Sequence, residues 1–494
     1  MDIAVLLFLT SGLFLGWALG GNDAANVFGT AVGTQMIRFT TAAVICSVFI
    51  VLGAVISGAG PAETLGRLGA VNALAGSFMA ALSAALAVYV MTKFGLPVST
   101  TQAIVGGILG WNLFSETVTD TDALFKILST WVLCPLLAAG FAMVLFKMVT
   151  AYLRTSRLHL LRTDAYTRLG LILAGAFGAY SLGANNIANV VGVFVASSPF
   201  SDFSVFGLAT FTAAQQLFLI GALAIAVGVL TYSKRVMLTV GGGLMPLSPV
   251  AAWVVVVAHS LVLILFASEG LERMLAANGL PTIPLVPVSS SQAVVGAVLG
   301  IAILKGGRGI RWNVLGGIGA GWVLTPLLAG LVCFIGLFFL QNVFGQTVYR
   351  PVPYVLSEPV LERLERAAVK TDRLGELRGQ TFSSALRFRQ ALGERMALDG
   401  DTEAKLMAYA RRDPMAIDPA RQRNLETSRL SAGQVQAVRR LSGRTFMHTW
   451  MLAEALARES GEWRPREKTT ENKAYNKRLQ KNLDFVFRTF RVGE

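Results

Sequence analysis

The chain has 494 residues, 54% of them hydrophobic and only 15% charged, with a mean hydropathy of +0.58, which excludes an ordinary soluble enzyme. The formal net charge of +14 is spread over two regions of different character. Residues 1–350 hold 16 Lys and Arg against 10 Asp and Glu, and residues 351–494 hold 27 against 19, so a dedicated nucleic-acid domain is excluded. Cys46, Cys134 and Cys333 all lie in apolar runs, which leaves neither a disulfide framework nor a metal-ligand spacing.

The amino terminus, MDIAVLLFLT, lacks the basic leader of a cleaved signal and is expected to open the first membrane helix. Apolar blocks follow at about 3–36, 39–60, 70–93, 97–114 and 124–152, then at 169–198, 204–231, 236–267, 287–304 and 312–342. The two sets of five are related by duplication. GGNDAANVFGTAVG (Gly20 to Gly33) matches GANNIANVVGVFVA (Gly183 to Ala196) at 7 of 14 positions, and PVSTTQAIVGGILG (Pro97 to Gly110) matches PVSSSQAVVGAVLG (Pro287 to Gly300) at 9 of 14. A third echo, WVLCPLLAAG from Trp131 and WVLTPLLAG from Trp322, keeps the same order.

Five crossings per half would place the halves in opposite orientations. The expected fold is therefore an all-α polytopic membrane protein of two inverted-topology repeats with broken or re-entrant helices, about 10–12 membrane segments in all, and a helical C-terminal appendage. The expected divisions are repeat 1 at 1–152, a basic cytoplasmic linker at 153–168, repeat 2 at 169–345 and a basic helical region at 346–494. Arg154, Arg157, Arg162 and Arg168, then Lys234 with Arg235, then Lys305, Arg308 and Arg311 are expected in connections on one side, the cytoplasmic one. The connections around Asp120 and Asp122, Asp202, and Glu269 with Glu272 face the other way. This places both chain ends outside, while the basic tail leaves its own side open. From Pro351 the pattern is amphipathic helices of a soluble or membrane-surface appendage, with TTENKAYNKRLQKN near the end expected to fray.

In GGNDAAN, Gly20 and Gly21 are expected to end one half-helix and Asn22 or Asp23 to cap the next, exposing backbone that is tolerated at this depth only beside a cavity. Asp23 is the one acid in the motif-bearing blocks, and Asn22, Asn26, Asn185 and Asn189 surround it with more polar groups than a cap needs. In the other motif, Ser99, Thr100, Thr101 and Ser289, Ser290, Ser291 open helices whose free N–H groups and hydroxyls form an anion cradle without formal positive charge. No nucleophile, base and acid occur together, so the chain is not expected to be an enzyme. His259, alone in an apolar run, is expected to be a packed core histidine.

The two Gly-x-Asn-Asp/Asn-x-Ala-Asn copies, the two Pro-Val-Ser copies and the stretch YSKRVMLTVGGGLMPLSP (Tyr232 to Pro249) resemble the inorganic phosphate transporter (PiT) family over about residues 1–345. The resemblance implies a cation-coupled phosphate symporter of a bacterial inner membrane. Asn22, Asp23, Ser99, Thr100, Thr101, Asn185, Asn186, Ser289, Ser290 and Ser291 would bind phosphate. Asp23, Asn26, Asn189, Gln102 and Gln292 would serve the coupling cation, sodium or proton, with no other cofactor or metal. Expected partners are phosphate, that cation and the lipid bilayer, with room for a homo-oligomer and none for nucleic acid. The sequence departs from the family at Asn186, where Asp is usual, at Gln102 and Gln292, where His is usual, and in lacking the acids of the helices before the Pro-Val-Ser motifs. A sulfate or other oxyanion permease and a transporter-derived anion sensor are therefore kept as alternatives.

Overall fold

Helix α1 (Ile3–Gly33) of the computed structural model passes without interruption through the whole first motif, and α7 (Leu160–Val191) does the same through Gly183 to Asn189. The expected helix break at Gly20 and Gly21 is thus absent, and Asn22 and Asp23 are not caps. The glycines serve close helix approach instead. None of Gly20, Gly21 and Gly183 has positive φ, and a Cβ on Gly20 would collide with the carbonyl oxygen of Ile225, one on Gly183 with that of Ile50. The structure describes residues 3–492 apart from 70, 94–97, 157–158, 199, 201–202, 206–208, 308, 370–371, 397–398, 423–424, 426–429, 468 and 470–471. Pro97, Arg157, Asp202, Arg308, Thr470 and Glu471 lie outside the described residues.

The first half continues with α2 (Phe39–Ser57), α3 (Ala59–Gly69), α4 (Leu74–Lys93), α5 (Thr100–Ser115) and α6 (Thr121–Thr155). After α7 come a short hairpin of β1 (Phe203–Val205) and β2 (Ala209–Phe211), then α8 (Ala213–Gly243), α9 (Pro249–Leu265), α10 (Glu269–Ala277), α11 (Ser290–Leu304) and α12 (Trp312–Asn342). Among the described residues seven helices are long and apolar enough to span a bilayer, or eight if α9 with α10, bent by 64° at their junction, counts as one span. With 16 and 15 residues, α5 and α11 fall short of the roughly 20 a full span needs, so the breaks sit at the second motif, where each of these helices starts. Three expectations are corrected. Residues 203–205 and 209–211 form the hairpin, not helix, Arg154, Arg162 and Arg168 lie in α6 and α7 and not in a connection, and Lys234 with Arg235 lie inside α8. Their long stems let a helix run on past the apolar stretch, and the Lys234 ammonium rests over the Phe39 ring at 5.8 Å.

The halves pack reciprocally. Helix α1 packs on α8 as α7 packs on α2, α4 on α1 as α9 on α7, and α12 on α4 as α6 on α9. At the half-length helices Gly106 of α5 abuts the Pro326 carbonyl of α12, and Gly296 of α11 abuts the Pro135 carbonyl of α6. Each contact has its image at the matched residues of the other half. The duplication is therefore present in three dimensions, held by small residues that bring backbones together where lipid supplies no hydrophobic drive.

The second compact unit comprises Arg350–Glu494 with Ser115–Val118 and Arg273–Thr282. It is itself duplicated. The first copy has β3 (Tyr354–Val355), α13 (Glu358–Arg366), β4 (Thr381–Phe382), α14 (Ala385–Gly393) and α15 (Gly400–Ala410). The second has β5 (Met415–Ala416), α16 (Pro419–Gln422), α17 (Ala432–Arg440), β6 (Thr445–Phe446), α18 (Thr449–Glu459) and α19 (Lys473–Phe490). Tyr354 pairs with Phe382 as Met415 pairs with Phe446. In each copy a glycine of positive φ turns the chain into the second strand, and its N–H donates to the strand opposite: Gly379 (φ 73°) to Leu356 O at 2.9 Å, Gly443 (φ 77°) to Ile417 O at 2.8 Å. Each copy buries its own core, one around Leu364, Phe388 and Leu406, the other around Val438, Leu456, Val486 and Phe490. These are packed globular cores, and residues 473–482 of the stretch expected to fray form the first half of α19. Glu116, from the connection between α5 and α6, belongs to this unit through the Ser384 hydroxyl (2.8 Å) and Arg387 (3.3 Å).

Candidate functional site

The polar residues singled out in the sequence are all buried, at 3% exposure or less. Burial at this level is sustained only where hydrogen bonds or a bound ion offset the loss of water. Asp23 on α1 is the centre. Its Oδ2 accepts from the Thr100 hydroxyl at the start of α5 (3.0 Å) and from the Asn186 amide on α7 (3.2 Å). Asn189, one turn along α7, donates to Thr101 Oγ1 (2.9 Å) and Thr100 Oγ1 (3.4 Å), and Thr101 donates to Val288 O (3.2 Å) just ahead of α11. Asn26 of α1 donates to Ser290 of α11 at 3.1 Å. Asn26 on Ser290 and Asn189 on Thr100 are the same bond made by matched residues, each crossing from one half to the other.

The two hydroxyl runs are built alike. Ser99 and Ser289 each accept from the N–H three residues on, that of Gln102 and Gln292, at 3.2 Å, and Ser289 also pairs with Ser291 at 3.1 Å. These caps satisfy one backbone donor each, and the helix starts keep further N–H groups at their positive ends, where an anion is favoured. Asn185 plays another part. Its amide donates to Leu263 O (3.3 Å) and Val286 O (3.2 Å) while its oxygen accepts from Val288 N (2.8 Å), so it clamps the extended segment that aims Ser289–Ser291. Its counterpart Asn22 donates to Thr92 (2.8 Å).

Among the described residues, five amide and carboxylate oxygens of the first motif are buried without a protein partner, Oδ1 of Asn22, Asp23, Asn26, Asn186 and Asn189, and so is the Thr30 hydroxyl. Leaving such a group unpaired costs about 1–3 kcal/mol, so each of these oxygens is open to a hard cation that takes oxygen ligands. Gln102 and Gln292 follow the two hydroxyl runs. With Trp131 and Trp322, also matched residues, they line a cavity of about 370 Å³. That tryptophan pair was not singled out as lining from the sequence, although both residues open the third echo. His259, expected as a packed core histidine, is fully buried, and its Nε2 lies 2.8 Å from Ser290 Oγ.

A polytopic helical membrane protein with a buried polar cluster drawn from both halves of a duplicated chain is, as a class, a secondary transporter. The profile of the phosphate transporter family matches residues 19–164, 154–272 and 274–488, and the chain belongs to that family. It is 26% identical over 410 residues to a Pyrococcus abyssi protein carried under the name "Putative phosphate permease", the match covering 68% of this chain and 97% of that one. It is 28% identical over 348 residues to the sulfate permease CysP of Bacillus subtilis, covering 68% and 87%. A solved structure titled the sodium-dependent phosphate transporter superposes with a TM-score of 0.57 at 21% identity, covering 69% of this chain and all of the other, which establishes a common fold. The family match reaches through the C-terminal unit, beyond the roughly 345 residues on which the motif resemblance rests.

Proposed function

We propose that the chain is a cation-coupled symporter that imports inorganic phosphate across the inner membrane by alternating access, its two repeats inverted about a midplane site. The observation that carries this is the bonding of each hydroxyl-lined helix start to an asparagine of the other half's first motif, Ser290 to Asn26 and Thr100 to Asn189, with Thr100 also donating to the Asp23 carboxylate. The helix starts at Ser99–Thr101 and Ser289–Ser291 supply backbone N–H donors to the anion, and hydroxyl donors come from Ser99 and from Ser289–Ser291, since Thr100 and Thr101 donate to Asp23 and to Val288 O. The unpartnered Oδ1 atoms of the first motif, that of Asp23 foremost, supply the cation ligands, and the sodium dependence named for the structural neighbour supports sodium as that ion.

Phosphate near neutral pH retains an O–H that Asp23 can accept, whereas sulfate offers acceptors alone and is repelled by an ionised carboxylate unless a cation lies between. Labelled phosphate uptake into proteoliposomes should thus be blocked by arsenate and spared by excess sulfate. Equal or stronger inhibition by sulfate would move the assignment to a sulfate permease, the reading favoured by CysP and by the missing second carboxylate at Asn186. Binding without accumulation would identify an anion sensor.

A further inference from the structure

His259 is fully buried in the middle of α9, a helix of otherwise apolar and small residues packed on α7, α11, α6 and α1. A side chain chosen only to fill that space would bring no polar atoms, yet Nε2 is placed 2.8 Å from Ser290 Oγ while Nδ1 is buried without a partner. The matched residue of the other half shows what this bond replaces. Thr100 is the first residue of α5 as Ser290 is of α11. Thr100 receives Asn189 as Ser290 receives Asn26, but the remaining partner of Thr100 is the Asp23 carboxylate and that of Ser290 is the imidazole.

The two partners set the two hydroxyls differently. A carboxylate only accepts, so Thr100 spends its hydrogen on Asp23 and has none left for an anion. With the proton on Nε2, His259 donates to Ser290. The Ser290 oxygen then takes two N–H donors, from His259 and Asn26, and its one hydrogen is free to be donated.

We propose that His259 is a substrate-positioning residue of the anion site, holding the Ser290 hydroxyl as a donor toward the unprotonated oxygens of the substrate while Asp23 faces the protonated one. This rests on the phosphate-transport reading and adds to it a division of labour between the halves: the first recognises the substrate's O–H, the second its bare oxygens.

The test is initial-rate uptake of labelled phosphate at matched reconstitution by wild type, H259L, H259N, H259Q, S290A and H259L/S290A. H259L should raise KM by about tenfold, the worth of a hydrogen bond to a charged group, with Vmax within about twofold of wild type. H259Q carries an N–H to nearly the reach of Nε2 and should return KM to within about threefold of wild type, whereas H259N, a bond shorter, should resemble H259L. S290A should match H259L, and the double variant should be no worse than either single one, because both remove the same donor. A wild-type KM in H259L, a Gln variant as impaired as Leu, or additive effects in the double variant would each overturn the proposal. If H259L does not insert, the contrast between H259N and H259Q decides it by the same criterion. Wild-type protein that accumulates sulfate and not phosphate would refute the transport reading instead. The His259 series then runs on sulfate, where the donor at Ser290 is still required and the same KM order is expected.

Discussion

Asp23→Asn is expected to abolish concentrative phosphate uptake while leaving the protein in the membrane at its normal level. The substitution keeps the size of the side chain and one oxygen for the Thr100 hydroxyl, but it removes the one charge from a cluster in which every other member is an amide or a hydroxyl. A monovalent cation moving with the substrate contributes about 2.3 kcal/mol per 100 mV of membrane potential, roughly a 50-fold accumulation ratio. Without a carboxylate to hold that cation, the ratio should fall toward one, although exchange of labelled phosphate down its gradient can persist. Accumulation by Asp23→Asn equal to wild type, at matched surface expression, would make the lone acid structural.

Asn186→Asp is the companion measurement. The Asn186 amide lies 3.2 Å from Asp23 Oδ2, so the substitution sets two carboxylates within hydrogen-bonding distance in a buried place. Like charges so close cannot both ionise unless a cation or proton lies between them. Uptake should then depend more steeply on the coupling ion, and a second acid at this position restores the arrangement the resemblance leads one to expect.

The duplication, the membrane class and the polar residues that meet around Asp23 were legible in the sequence because repeated motifs state twice what a single copy leaves ambiguous. What the helix does at a motif was not. Gly-Gly-Asn-Asp is compatible both with a broken helix and with a continuous one pressed against a neighbour, and only the position of Ile225 behind Gly20 decides. Asn185 and Asn186 are adjacent and alike in sequence, yet one is spent on the backbone at Leu263, Val286 and Val288 while the other turns to Asp23. Helical phase relative to partners more than 70 residues away settles that difference. The second duplication, in the C-terminal unit, had a signature in Gly-Gln-Thr-Phe at Gly379 and Gly-Arg-Thr-Phe at Gly443, but four residues at unequal spacing from other landmarks are too few to stand out. His259 failed as a signal for a related reason, since a single polar residue in an apolar helix does not reveal that Ser290, 31 residues on, is its partner.

Adding one methyl group at Gly20 or at Gly183 is expected to destabilise the membrane unit more than the same change at any lipid-facing glycine. The Cβ of Gly20→Ala would meet the Ile225 carbonyl, and that of Gly183→Ala the Ile50 carbonyl, backbone atoms that cannot rotate away as a side chain would. Helices α1 and α8, or α7 and α2, must then separate, giving up dispersion contacts along their length, a cost of about 1–3 kcal/mol or more for overpacking of this kind. At Gly140 in α6 and Gly316 in α12 nothing lies within 4 Å of the added carbon, so Gly→Ala there should gain up to about 1 kcal/mol from helix propensity. Thermal unfolding of the purified protein in detergent should therefore drop by roughly 5 °C or more for Gly20→Ala and Gly183→Ala, and hold or rise for the other two. Because the two destabilising sites are images of each other, their losses should be similar. A silent Gly183→Ala beside a damaging Gly20→Ala would show that the halves do not share the load, and the reciprocal packing would lose its energetic meaning.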